Sequence, residues 1–188
     1  GSHAGTVLFQ RTGRRQRHRQ CAIQKPIPQA ERKPSVHKVP LSDVQSNRPR
    51  LLTVQKQGEG TALIKLDRKE MEVDGKVTIT FPALDLQHLD KVELNLAVLD
   101  STPGPVGAIR LLVTDCFGQQ RYAHFELSKD QSTYSIPAKD LWGIWIDSSK
   151  VDTIQLQFWT NPWFYTSQRW RAQRSSLWLK SIRFHCQL

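Results

Sequence analysis

The chain has 188 residues, 38% of them hydrophobic, with a mean hydropathy of -0.50, which suits one core or one core plus a tail. Its longest apolar runs are only a few residues, too short for a membrane-spanning helix. The net charge of +10 is uneven: residues 1–50 hold 11 of the 27 Lys+Arg and 2 of the 17 Asp+Glu, leaving 16 and 15 for residues 51–188, so the later part lacks the basic face of a dedicated nucleic-acid-binding fold.

Gly1-Ser2-His3 reads as an expression-tag remnant, and no positive start followed by a long apolar stretch marks a signal peptide. Residues 1–50 read as a flexible arm. They contain five of the ten prolines, one aromatic residue (Phe9) and a basic run of Arg11, Arg14, Arg15, Arg17 and Arg19. Low hydrophobicity with high net charge does not repay the entropy of folding. The run is either a solvated linker or an arm for a polyanion such as RNA, an acidic glycan or a membrane surface.

From Leu51 onward, apolar and polar residues alternate with a period of two. Val77, Ile79 and Phe81 share one face. So do Val92, Leu94, Leu96 and Val98, then Ile109, Leu111 and Val113, then Ile154, Leu156 and Phe158. Further strands are expected at 51–56, 61–67, 120–127, 131–136 and 177–185, separated by turn sequences such as Asp74-Gly75 and Thr102-Pro103-Gly104-Pro105. The segment 138–149 contains Gly143 and lacks a helical stripe. About nine short strands over residues 51–188 predict an all-β antiparallel sandwich, a jelly roll.

Catalytic signatures are missing from the sequence. It contains no GxSxG elbow, phosphate loop or HExxH helix, and His88, His124 and His185 are scattered, with no neighbour that suggests a nucleophile pair. Cys21, Cys116 and Cys186 are odd in number and widely spaced, with no metal-ligand spacing; a disulfide between Cys116 and Cys186 is one option. No enzyme activity, metal or cofactor is expected.

All six tryptophans fall between 142 and 178. The segment 158–171 is aromatic-rich yet broken by Asn161-Pro162, so much of it is expected to be a surface loop. Trp159, Trp163, Tyr165 and Trp170, with Arg169, either plug the end of the sandwich or offer flat faces on which sugar C–H groups pack. The second candidate is a sheet face. If Ile154, Leu156 and Phe158 point inward, Gln155, Gln157 and Trp159 point outward; by the same count Tyr122, His124 and Glu126 oppose Ala123, Phe125 and Leu127, and Arg110 opposes Ile109 and Leu111. These residues form a binding face if their strands share a sheet.

A series of phrases gives the chain its resemblance. They are Gly75-Lys76-Val77-Thr78-Ile79-Thr80-Phe81-Pro82, Leu89-Asp90-Lys91-Val92-Glu93-Leu94, Ile109-Arg110-Leu111-Leu112-Val113-Thr114-Asp115 with Gly118, Tyr134-Ser135-Ile136-Pro137 before Leu141-Trp142-Gly143, and the closing Leu177-Trp178-Leu179-Lys180-Ser181-Ile182-Arg183-Phe184. Over residues 51–188 the chain resembles the jelly-roll, galactose-binding-like carbohydrate-binding modules attached to glycoside hydrolases such as agarases. The resemblance implies a non-catalytic module for a polysaccharide or oligosaccharide, extracellular or at the cell surface, part of a larger enzyme or assembly. Where such modules often carry an acidic calcium ligand in the closing strand, this chain has Lys180-Ser181, and an ammonium group cannot ligate calcium. Two other readings remain open: a capsid-like structural protein whose basic arm binds RNA, and an interaction module in a surface or secretion assembly.

Overall fold

In the computed structural model, residues 33–58, 60–67, 75–158 and 169–187 are described. The alternating segments form antiparallel strands: β1 (Ser35–Lys38), β2 (Asp43–Ser46), β3 (Leu52–Gln57), β4 (Thr61–Asp67), β5 (Gly75–Leu84), β6 (Leu89–Ser101), β7 (Gly107–Asp115), β8 (Gln120–Leu127), β9 (Thr133–Pro137), β10 (Trp142–Gly143), β11 (Val151–Phe158) and β12 (Arg174–Cys186). Among the described residues a 3-10 turn, Ala138–Asp140, interrupts them. The first sheet runs β3-β4-β12-β6-β9, with β1 also on β12; the second runs β10-β8-β7-β11-β5-β2.

The inward residues of both sheets form one core. Val77 and Ile79 of β5, Val92, Leu94 and Leu96 of β6, Ile109, Leu111 and Val113 of β7, and Ile154, Leu156 and Phe158 of β11 are all fully buried. Each such side chain contributes about 1.5–3 kcal/mol by leaving water. In β12 the inward set changes parity, from Leu177 and Leu179 to Ile182 and Phe184. A register shift against β6 between Leu179 and Ser181 absorbs the change, so both halves of the strand still face the core.

The expected boundary at Leu51 requires correction. Residues from Ser35 belong to the sandwich: β1 pairs with β12 (Ser35 opposite Cys186) and β2 with β5 (Asp43 opposite Thr80). These strands contribute backbone hydrogen bonds more than apolar area, which is why composition hid them. Val36 of β1 is exposed, while Val39 and Leu41, between the two strands, are buried where the chain crosses from one sheet to the other. Residues 1–32, including the arginine run, lie outside the described residues. Cys186 is a free, buried thiol, whereas Cys116 is disulfide-bonded, so the bridge considered between these two is not formed.

Candidate functional site

Strand register turns the outward residues of the second sheet into a grid. One row crosses all six strands: Gln45 opposes Thr78, Thr78 opposes Gln155, Gln155 opposes Leu112, Leu112 opposes Tyr122, and Tyr122 opposes Trp142. A second row, two residues along, holds Lys76, Gln157, Arg110 and His124. A third, on the other side, holds Asp43, Thr80, Thr153, Thr114 and Gln120. Five of the expected site residues, Arg110, Tyr122, His124, Gln155 and Gln157, are therefore brought together on adjacent strands β8, β7 and β11.

Local interactions fix this face. The Arg110 guanidinium lies 4.0 Å from the centre of the Tyr122 ring, a cation–π contact. His124 meets the same ring in a T-shaped arrangement at 6.2 Å. Burial, and then the nearby positive charge of Arg110, hold the His124 pKa below the usual histidine value. Gln155 Nε2 donates to Thr78 Oγ1 at 3.1 Å. Leu112, Thr114, Thr153 and Gln157 are buried although they belong to the outward rows.

Of the two roles open to the aromatic loop, the structure describes the outcome at Trp170 and Arg169 alone. Trp159, Trp163 and Tyr165 lie outside the described residues. Trp170, read as a candidate ligand platform, is a core residue: its indole is fully buried, packs against Phe158 at 5.1 Å, and donates from Nε1 to the Ala172 carbonyl at 3.1 Å. The backbone here passes unusually close to Gly107, where a Cβ would lie 2.7 Å from Trp170 Cα; Gly107 also has a φ of +126°. Neighbouring Arg169 is half-buried, and its carbonyl accepts the Ala108 N–H at 3.1 Å.

A ribbon from Leu141 to Asp147, beside β8, was not singled out by sequence. Leu141 is buried inward, and Trp145 donates from Nε1 to the Val113 carbonyl at 3.0 Å. The alternate residues Trp142, Ile144 and Ile146 are 72%, 75% and 63% exposed. The ribbon is held by Asp115, whose Oδ2 accepts the N–H groups of Ile146 and Asp147 at 2.7 and 3.1 Å; its Oδ1 accepts those of Phe117 and Gln119 at 3.0 and 2.9 Å. Arg121 adds hydrogen bonds from Nη2 to the Ala138 and Leu141 carbonyls at 2.7 and 3.1 Å. Period-two alternation was the signal for this ribbon, but Gly143 interrupts it.

Among the described residues no group of three or more His, Cys, Asp or Glu is placed to hold a metal ion. Lys180, in the closing strand, directs its ammonium over the Trp178 ring at 4.4 Å from the centroid.

The architecture is a jelly-roll β-sandwich of two antiparallel sheets, a fold shared with part of several solved agarase structures. The chain is similar to part of the structure of PfGH50B (TM-score 0.52, 12% identity, 82% of this chain and 24% of that one) and of an agarase, AgWH50C (TM-score 0.50, 15% identity, 88% and 24%). It thus spans about a quarter of each of those two chains. A family 11 carbohydrate-binding module from Clostridium thermocellum, in complex with a beta-1,3-1,4-mixed-linked tetrasaccharide, matches at a TM-score of 0.49 and 10% identity over 83% of this chain and 90% of that one. No family model and no curated protein matches the sequence.

Proposed function

We propose that the chain is a non-catalytic carbohydrate-binding module that recognises a polysaccharide on the outer face of its second sheet. The observation that carries this reading is the register grid, in which the Gln155 amide, a phenol ring, an imidazole and a guanidinium occupy adjacent positions on β11, β7 and β8, beside the buried Gln157. Amides both donate and accept, as sugar hydroxyls do, and an aromatic wall with a few placed polar groups is the general design of such sites. His124, held neutral near pH 7 by its lowered pKa, offers one donor and one acceptor nitrogen.

The carboxylates favour binding over hydrolysis. Asp43 on β2 and Glu126 on β8 are outward residues of this sheet four strand spacings apart. At about 4.8 Å per spacing that is about 19 Å, about twice the widest separation, near 9.5 Å, of the carboxylate pairs that cleave glycosides. The disulfide at Cys116 supports an extracellular or cell-surface setting, since disulfides persist in oxidising compartments. No helix among the described residues is long and apolar enough to cross a membrane. The match of this chain to a quarter of an agarase favours a module within a larger enzyme or assembly.

The test is binding of the purified chain to neutral and sulfated polysaccharides at low and high salt. Salt-insensitive binding to a neutral glycan, reduced about tenfold by Tyr122→Ala with the melting temperature kept, is the expected result. Binding confined to anionic polymers and lost at high salt would instead assign the interaction to Arg11, Arg14, Arg15, Arg17 and Arg19 and favour an RNA- or polyanion-binding arm.

A further inference from the structure

Large apolar side chains exposed on a rigid backbone call for a partner. Among the described residues, Trp142 answers that description best. Its backbone is paired with β8 through the Trp142–Tyr122 register, and the ribbon is clamped on either side of it, at Ala138 and Leu141 by Arg121 and at Ile146 and Asp147 by Asp115. Gly143, with a φ of +104°, lets the strand turn where a Cβ would strike the Gln120 carbonyl oxygen. The indole itself remains 72% exposed.

The other described aromatic groups near this end of the molecule are already engaged. Trp170 is in the core. Trp145 lies under Arg121, with the guanidinium 4.9 Å from its ring. Tyr122 has one face against Arg110 and contacts His124. Trp178, on the opposite sheet, lies under Lys180.

Resting on the carbohydrate-binding reading above, we infer that Trp142 is the terminal stacking platform of the site, and that the ligand is a linear neutral glycan laid across the strands. The six-strand row from Gln45 to Trp142 carries no charged side chain. It is graded from amide and hydroxyl groups (Gln45, Thr78, Gln155) to aromatic ones (Tyr122, Trp142), with the buried Leu112 between them. A chain of sugars presents hydroxyl edges and flat C–H faces, so it matches both parts of such a row. Five strand spacings of about 4.8 Å give the row a length of about 24 Å, far more than one ring covers. A short oligosaccharide therefore binds without touching Trp142, and a longer one gains the indole.

The test titrates agaro-oligosaccharides and mixed-linked β-1,3-1,4-gluco-oligosaccharides, from disaccharide to octasaccharide, against the wild-type chain, Trp142→Ala and Trp142→Phe. Because the side chain is exposed, both variants are expected to keep the wild-type melting temperature. The expected result is that wild-type affinity rises with length in at least one series. Trp142→Ala loses the gain of the longer members by about fivefold to tenfold and leaves the shortest binding member unchanged, while Trp142→Phe recovers part of the gain. Equal affinity of wild type and Trp142→Ala at every length overturns the assignment of Trp142 while leaving the carbohydrate-binding reading intact. A uniform loss at all lengths overturns its terminal position. Absence of wild-type binding to both series overturns the neutral linear ligand; absence extending to the whole polysaccharide panel overturns the carbohydrate-binding reading too.

Discussion

At Asp115 four backbone amides converge on one buried carboxylate, two on each oxygen. Asp115→Asn keeps the shape but points an NH2 at two N–H donors whichever way the amide is turned. With hydrogen bonds to a charged group contributing about 1.5–3 kcal/mol each, chemical denaturation of this variant should show a loss of at least about 3 kcal/mol. His124 carries the opposite kind of charge effect. Its folded pKa lies below the ordinary 6.5, through burial first and Arg110 second. The unfolded chain therefore binds the proton more readily. Stability from this group is present above pH 6.5 and is lost as pH falls through the folded value. Thermal melts of His124→Gln should lose part of the acid-side decline seen in the wild type. The outward positions of Tyr122, His124, Arg110, Gln155 and Gln157 were legible from period two alone, because each lies between residues that the core requires. Trp170 and Trp142 were not. The fate of Trp170 is set by Gly107, more than 60 residues away, whose missing Cβ admits the backbone. Trp142 looked like any other tryptophan until its pairing with Tyr122 fixed its face.

Among the elements, the long strands were readable because both sides of each peptide plane carry a consistent signal. β5 alternates along most of its length, and β7 and β11 are buried at every position except Arg110 and Gln155. β1, β2 and β10 have two to four residues and too little apolar area to show in composition. They are edge or near-edge additions whose energy is in backbone pairing. The junction of β7 with the Trp170 segment is the most demanding contact between elements. Gly107→Ala would place its Cβ 2.6 Å from Arg171 N in a left-handed backbone conformation. This variant, and Trp170→Ala, which empties a fully enclosed indole site, should each lower the melting temperature strongly; the tryptophan change should cost about 3–5 kcal/mol.

For the whole molecule, the seam between the two ends of the sandwich can be followed at Cys186. The thiol lies in β12 opposite Ser35 of β1 and Leu89 of β6, and burial, with Asp85 nearby, raises its pKa to about 11. The folded thiol holds its proton where the unfolded one, near 9, releases it. Stability from this group is therefore complete below pH 9 and falls as pH rises towards 11. Labelling of Cys186 by a thiol reagent near neutral pH should be slow in native buffer and accelerate with denaturant in step with global unfolding. Labelling as fast as that of a free peptide would mean that the seam opens locally.

β12 is the centre of the first sheet: β6 lies along one side, and β4 and β1 share the other. During synthesis these neighbours all leave the ribosome before it. A nascent chain halted before Arg174 would have β4 and β6 with no strand between them and the inner face of the second sheet uncovered. Unpaired edges and bare apolar faces are what chaperones bind and aggregates grow from. The first sheet can then close only once β12 has been made, by inserting that strand between segments synthesised long before it.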